Sequence, residues 1–127
     1  MRRQAAVMSR LDLGIEAVYA SPLARAQETA RIVSEGLRVA SVVRTIGALG
    51  PGSRVPSLAP IGGTEKGILI VGHAPDMGIM TAALSGLEGP VPFARGGLAC
   101  IELGTWPIAP PGRLVFVLPP EILLALA

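Results

Sequence analysis

The chain is poor in the residues that carry several common chemistries. Of its 127 residues one is cysteine and one is histidine, and aromatics make up 3%. The lone Cys100 excludes an internal disulfide and fits a reducing compartment. Set in Leu98-Ala99-Cys100-Ile101, it reads as a small core residue. With so few aromatics, the stacking platforms used by nucleic-acid binders are absent. The formal charge is +2 and the pI is near 9.3, but the basic residues are scattered and Arg2-Arg3 is the only adjacent pair. Nucleic acid is not an expected partner. No apolar run approaches the roughly 20 residues of a membrane span. Arg2 and Arg3 are not followed by a continuous apolar stretch of the signal-peptide kind. The expectation is therefore no membrane association and a cytoplasmic location.

What the chain does have is a globular composition, 50% hydrophobic and 16% charged, at a length that suits one domain spanning 1–127 with one core. Arg2 to Leu13 holds helix formers with no breaker before Gly14 and predicts a helix with no strand in front of it. Ile15 to Ala20 predicts a short strand. Ser21-Pro22 follows as a cap-and-proline helix start, and Leu23, Ala26, Ala30, Val33 and Leu37 recur at the spacing of one helix face. Val39 to Val43 is β-branched and predicts a strand. From Gly47 to Gly67 glycine and proline are dense and apolar anchors few, which predicts a long flexible loop with one helical turn near Pro56 to Ala59.

The stretch that organises the rest is Ile68-Leu69-Ile70-Val71-Gly72-His73-Ala74-Pro75-Asp76. Four aliphatic residues without polar alternation predict a strand buried on both faces of a sheet. Gly72 ends it, and Pro75 sits where a helix starts, running to about Leu84. The only histidine thus lies in a strand-to-helix turn beside the free N–H groups of a helix N-terminus, a place suited to an anion. A structural histidine in a tight loop fits the same position. Gly96 to Leu103 and Arg113 to Leu118 predict an antiparallel hairpin joined by a proline-rich turn, Trp106 to Gly112, and Pro120 to Ala127 a closing helix. Strands alternating with helices predict an α/β protein, a three-layer sandwich with a mostly parallel sheet.

Two segments read together, Ser21-Pro22-Leu23-Ala24-Arg25-Ala26-Gln27-Glu28-Thr29-Ala30 and Val71-Gly72-His73-Ala74-Pro75, resemble the histidine phosphatase superfamily, the phosphoglycerate mutase-like fold. The short spacing is most similar to SixA-type phosphohistidine phosphatases. The resemblance implies that Arg25 clamps phosphoryl oxygens, for which a planar, permanently charged fork is suited. It implies that His73 hydrogen-bonds the transferring group and stabilises its charge, and that the Ala74 N–H is a further donor. Ser21 caps the Arg25 helix and shapes the pocket. Arg25 as an ordinary surface arginine and Ser21 as a plain N-cap are the alternative readings. No metal or organic cofactor is implied. The implied substrate is a phosphorylated protein, such as a histidine phosphotransfer domain, or a small phosphorylated molecule.

The chain departs from the superfamily in one respect. The family's nucleophile is the histidine of an Arg-His-Gly motif at the end of its first strand, which is phosphorylated and then hydrolysed. No Arg-His-Gly occurs in this sequence, and Arg2 and Arg3 lie on the first predicted helix. The general acid is unassigned: nothing in the spacing of Glu65 singles it out, and Asp76 reads as a residue of the helix's first turn. The expectation is a fold whose first, interior strand is missing, leaving backbone groups unpaired and apolar surface open, and hence a truncated product of a longer gene. The 127 residues alone are expected to be inactive. An inactive phosphate-binding pseudoenzyme and a plain α/β domain that associates through its apolar edge are the competing readings.

Overall fold

The computed structural model describes residues 1–62, 64–104 and 112–127. Its centre is β1 (Ala17–Ala20), with the sequence Ala-Val-Tyr-Ala, which is buried throughout. On one side β1 pairs with β2 (Arg44–Thr45) and on the other with β3 (Ile68–Val71), both parallel, with Tyr19 opposite Arg44 and Ile70. Helix α1 (Arg2–Leu11) precedes β1, α2 (Ala24–Leu37) links β1 to β2, and α3 (Asp76–Leu84) follows β3. A separate antiparallel pair, β4 (Leu98–Glu102) and β5 (Arg113–Leu118), carries a bulge at Cys100/Ile101 and leads into α4 (Pro120–Leu126).

Alternation along β1 divides the interior into two cores, as side chains of a strand must point to opposite faces. Ala17 and Tyr19 face a core closed by α3 through Met77, Met80 and Leu84, and by Leu49, Leu58 and Ile61 from the segment before β3. Val18 and Ala20 face the other way, onto Ala30 of α2. Beyond them α1, α2 and α4 meet through Ala5, Met8, Val33 and Leu123. The result is helix, parallel sheet, helix, the expected three layers. Two glycines permit the close approaches that set this packing. A Cβ on Gly36 would stand 2.8 Å from the Ala5 Cβ, where α2 crosses α1. A Cβ on Gly78 would stand 2.1 Å from the Val91 carbonyl oxygen, where α3 meets the loop before β4.

Several expectations are corrected in detail. The second strand is not Val39 to Val43 but Arg44–Thr45. Val42 is 81% exposed, because the chain reaches the edge of β1 only two residues later. The helix from Ser21-Pro22 begins at Ala24, with Leu23 at its N-cap and no side-chain cap, so Ser21 is not the cap. Pro75 is the N-cap of α3 rather than its first helical residue, after a cis Ala74–Pro75 bond. The segment 47–67 holds two short 3-10 turns, Gly47–Leu49 and Val55–Leu58. Its Leu49, Leu58 and Ile61 are all buried, more apolar anchors than the composition suggested. β3 is half-buried along its whole length instead of buried on both faces, because among the described residues only one of its edges has a partner strand. The hairpin is antiparallel as expected, while most of the turn Trp106 to Gly112 lies outside the described residues.

Candidate active site

In a parallel sheet all the strands end on one side, and the first residues beyond them share that edge. Ser21 follows β1 directly and Gly72-His73 follows β3. The Ser21 N–H donates to the Val71 carbonyl at 3.0 Å, and its own carbonyl accepts from Gln27 Nε2 at 2.7 Å. The same Gln27 nitrogen donates to Thr45 Oγ1 at 3.0 Å, which ties the ends of all three strands together.

The Ser21 side chain is fully buried and does not cap α2. Its Oγ accepts from the Leu23 N–H at 3.2 Å and lies 2.8 Å from His73 Nε2. This bond holds the ring in either protonation state. The hydroxyl proton can go to a neutral Nε2, and an oxygen lone pair can accept from a protonated one. His73 is fixed from the other side as well, since its carbonyl accepts the Met77 N–H at 2.9 Å in the first turn of α3. Among the described residues Nδ1 has no hydrogen-bond partner.

Arg25 is the second residue of α2, exposed, with no ion-pair partner among the described residues. It opens onto the same groove as Gly72, His73 and Ala74, a groove of about 830 Å³. Four sequence-chosen residues, Ser21, Arg25, His73 and Ala74, are thus brought together at the carboxyl edge of the sheet. Arg95, in the loop before β4, reaches the same groove and is exposed. Sequence reasoning missed it, and its only signal was its place just before an apolar strand.

The nearby carboxylates are committed elsewhere. Asp76 is buried and accepts from the Gly52 N–H at 2.7 Å and from Arg54 at 2.9 Å. The Gly52 N–H chiefly holds its carboxyl below the usual carboxylate range, with Arg54 and the nearby His73 adding to the effect against the cost of burial. Glu65 bonds Arg44 at 2.7 Å and the Tyr19 hydroxyl at 3.2 Å. Its carboxyl is also held low, first by its own backbone N–H and then by Thr64, Arg44 and Tyr19. Groups kept ionised in this way are poor proton donors at neutral pH. Burial and Glu102 push the Cys100 thiol up, which leaves it unreactive. No cluster of three or more His, Cys, Asp or Glu residues able to hold a metal ion occurs among the described residues.

Comparison with known proteins gives a sequence match over part of the chain and a match of fold over nearly all of it. The sequence model of the histidine phosphatase superfamily (branch 1) matches residues 1–46, the part that holds Ser21 and Arg25. Solved structures extend the likeness to nearly the whole chain. The protein histidine phosphatase SixA, complexed with tungstate, superposes with a TM-score of 0.82 at 24% identity, over 94% of this chain and 78% of that one. A protein assigned as the phosphohistidine phosphatase SixA of Agrobacterium tumefaciens gives 0.69 at 17% identity, over 92% and 80%. Its counterpart from Nakamurella multipartitia gives 0.65 at 21%, over 91% and 79%. At these identities the structural likeness establishes the fold. No curated protein sequence matches the chain.

Proposed function

We propose that this chain is the phosphoryl-binding body of a SixA-like phosphohistidine phosphatase. The observation that carries the reading is the 2.8 Å bond between His73 and Ser21, set at the carboxyl edge of the sheet beside Arg25, which has no ion-pair partner among the described residues. A bound phosphoryl group receives two oxygen contacts from the Arg25 fork. His73, held through Nε2, presents Nδ1–H to a third oxygen, and the Ala74 N–H at the start of α3 adds a backbone donor. Arg95 adds positive field at the same mouth. These groups need no rearrangement to meet charge that grows on the phosphoryl oxygens during transfer, so they favour the transition state.

Phosphohistidine suits such a site. With the ring's other nitrogen protonated, its P–N bond breaks with the electron pair going to the nitrogen that held phosphorus and neutral imidazole leaves, so a strong general acid is unnecessary. Transfer to an enzyme histidine followed by hydrolysis would complete the reaction. Within residues 1–127 the single histidine is already bonded to Ser21 and serves as a binding group. The 127-residue chain therefore binds phosphoryl groups without turning them over. The expected substrates are protein phosphohistidine or small phosphorylated molecules.

Tungstate titration followed by calorimetry and by the His73 ring signals in NMR tests this directly. Arg25→Ala and His73→Ala should each weaken binding at least ~10-fold, an interaction of about 1.4 kcal/mol. Ser21 is a positioning residue. Ser21→Ala should weaken tungstate binding less and broaden the His73 ring signals as the ring loses its 2.8 Å bond, a readout that a merely structural role would leave alone. Turnover of p-nitrophenyl phosphate that disappears in His73→Ala would overturn the assignment, because His73 would then be the nucleophile. Binding untouched by both Arg25→Ala and His73→Ala would instead favour a plain α/β domain with coincidental motifs.

A further inference from the structure

Of the eleven Lys and Arg side chains, two line the groove that holds His73 and Ala74: Arg25 and Arg95. A single carboxylate, Glu28, lines it with them, so its side-chain charge is net positive. Both arginines are exposed, and neither guanidinium has a hydrogen-bond or ion-pair partner among the described residues. By contrast Arg31, Arg44, Arg54 and Arg113 are each paired with a carboxylate. Arg95 is also not a loosely tethered surface residue. The Gly97 N–H donates to the Ala94 carbonyl at 3.0 Å, which closes a tight turn with Arg95 and Gly96 at its corners. Gly96 has φ +83°, a value that favours glycine at the second corner of such a turn. The approach to the turn is anchored as well. The Val91 N–H donates to the Gly78 carbonyl at 3.1 Å, and a Cβ on Gly78 would stand 3.2 Å from the Phe93 Cβ. Gly78 lies in the first turn of α3, directly after His73, Ala74 and Pro75. The backbone under Arg95 is therefore fixed against the helix that follows His73, while its guanidinium is left free.

A bound phosphoryl group offers three free oxygens. In the functional reading above, the Arg25 fork meets two of them, and His73 with the Ala74 N–H meets the third. Arg95 is then available to a different anion. We propose that Arg95 is a specificity residue, which binds a carboxylate lying beside the phosphohistidine of a protein substrate. A guanidinium is suited to this, because its planar fork meets both carboxylate oxygens at once. The exposed run Pro22, Leu23 and Ala24 leads into Arg25, and Leu23 is 45% exposed. The mouth thus opens onto a surface that can meet another protein. The site then prefers phosphohistidines in acidic surroundings. This role rests on the phosphoryl site proposed above.

The test measures the affinity of two peptides that carry a non-hydrolysable phosphonotriazole in place of phosphohistidine. One has aspartates on both sides of it and the other has asparagines. At low ionic strength the 127-residue chain should bind the aspartate peptide at least ~3-fold more tightly, the scale of a well-aligned exposed pair. Arg95→Gln should abolish the preference, and Arg95→Lys should keep part of it. Arg113→Gln removes the same charge outside the groove and should keep all of it. In about 0.5 M salt the preference should shrink, as screening requires. Equal binding of the two peptides by the unaltered chain would overturn the proposal. So would a preference that survives Arg95→Gln, or one that falls as far in Arg113→Gln, since net charge alone would then be its source. Tungstate separates this role from the reading beneath it. With tungstate bound and no preference between the peptides, only the role of Arg95 fails. With neither tungstate nor either peptide bound, the phosphoryl site fails and takes that role with it.

Discussion

β1 and β3 are neighbours in one sheet, four residues each and paired in register, yet their environments differ sharply. β1 is Ala-Val-Tyr-Ala and every residue is buried; β3 is Ile-Leu-Ile-Val and every residue is only half-buried. The more apolar strand is the less buried one. Burial here follows the number of partners: β1 has a strand on each side, whereas β3 has one on one side and the groove on the other. Hydrophobicity creates the drive to be covered, but backbone pairing and the layers on each face decide whether it is met.

The difference can be tested most strongly by truncation at paired positions. Tyr19→Ala removes a ring that is 4% exposed and a hydroxyl bonded to Arg44 at 2.8 Å, and should cost about 3–5 kcal/mol in urea unfolding. Ile70→Ala, directly opposite in register, should cost about 2 kcal/mol or less, because its side chain is already partly in water. Equal losses at the two positions would break the comparison.

Asp76, just beyond β3, should have an intermediate effect. Asp76→Asn weakens two charge-assisted bonds, to Gly52 and Arg54, and should cost about 1–2 kcal/mol at pH 7, since Arg54 is half-exposed. The Asp76 carboxyl titrates lower in the folded protein than in the unfolded chain. Its contribution is therefore complete above its unfolded pKa of about 3.9 and is lost as the pH falls through the folded value. The gap between wild type and Asp76→Asn should shrink on acidification, as seen in unfolding curves at pH 7 and pH 3. The smallest change is Ile70→Val, expected near 0.5 kcal/mol at this half-buried site. A loss above about 1.5 kcal/mol would mean that the β3 edge is covered in solution.

Much of this architecture was legible in the sequence because it is local. The face made by Ala26, Ala30 and Val33, the run Ile68 to Val71 and the two strands of the hairpin each carry their own period. The candidate residues Ser21, Arg25, His73 and Ala74 came from the family resemblance, and their meeting has a related cause: all sit within a few residues of strand ends, where topology gathers them. What escaped depends on tertiary contacts. Val39 to Val43 has the propensity of a strand, yet pairing fell to Arg44–Thr45, which lie where β1 has a free edge. Propensity yields to available partners in such places. Arg95 reaches the groove through the loop before β4, and Asp76 turns toward Gly52 and Arg54. No spacing in the sequence announces either.

The segment 46–67 is tied down more often than its glycine and proline content suggests. Its fixed points are Ile46, Leu49, Leu58 and Ile61 in the core, Gly52 and Arg54 on Asp76, Glu65 on Tyr19 and Arg44, and the Lys66 N–H on Glu16. No two successive fixed points are more than four residues apart. In polymer terms it is a series of short stitches rather than one long loop with a single closure cost. Each stitch closes on its own, so removing one fixed point should loosen only the few residues beside it and leave the others in place.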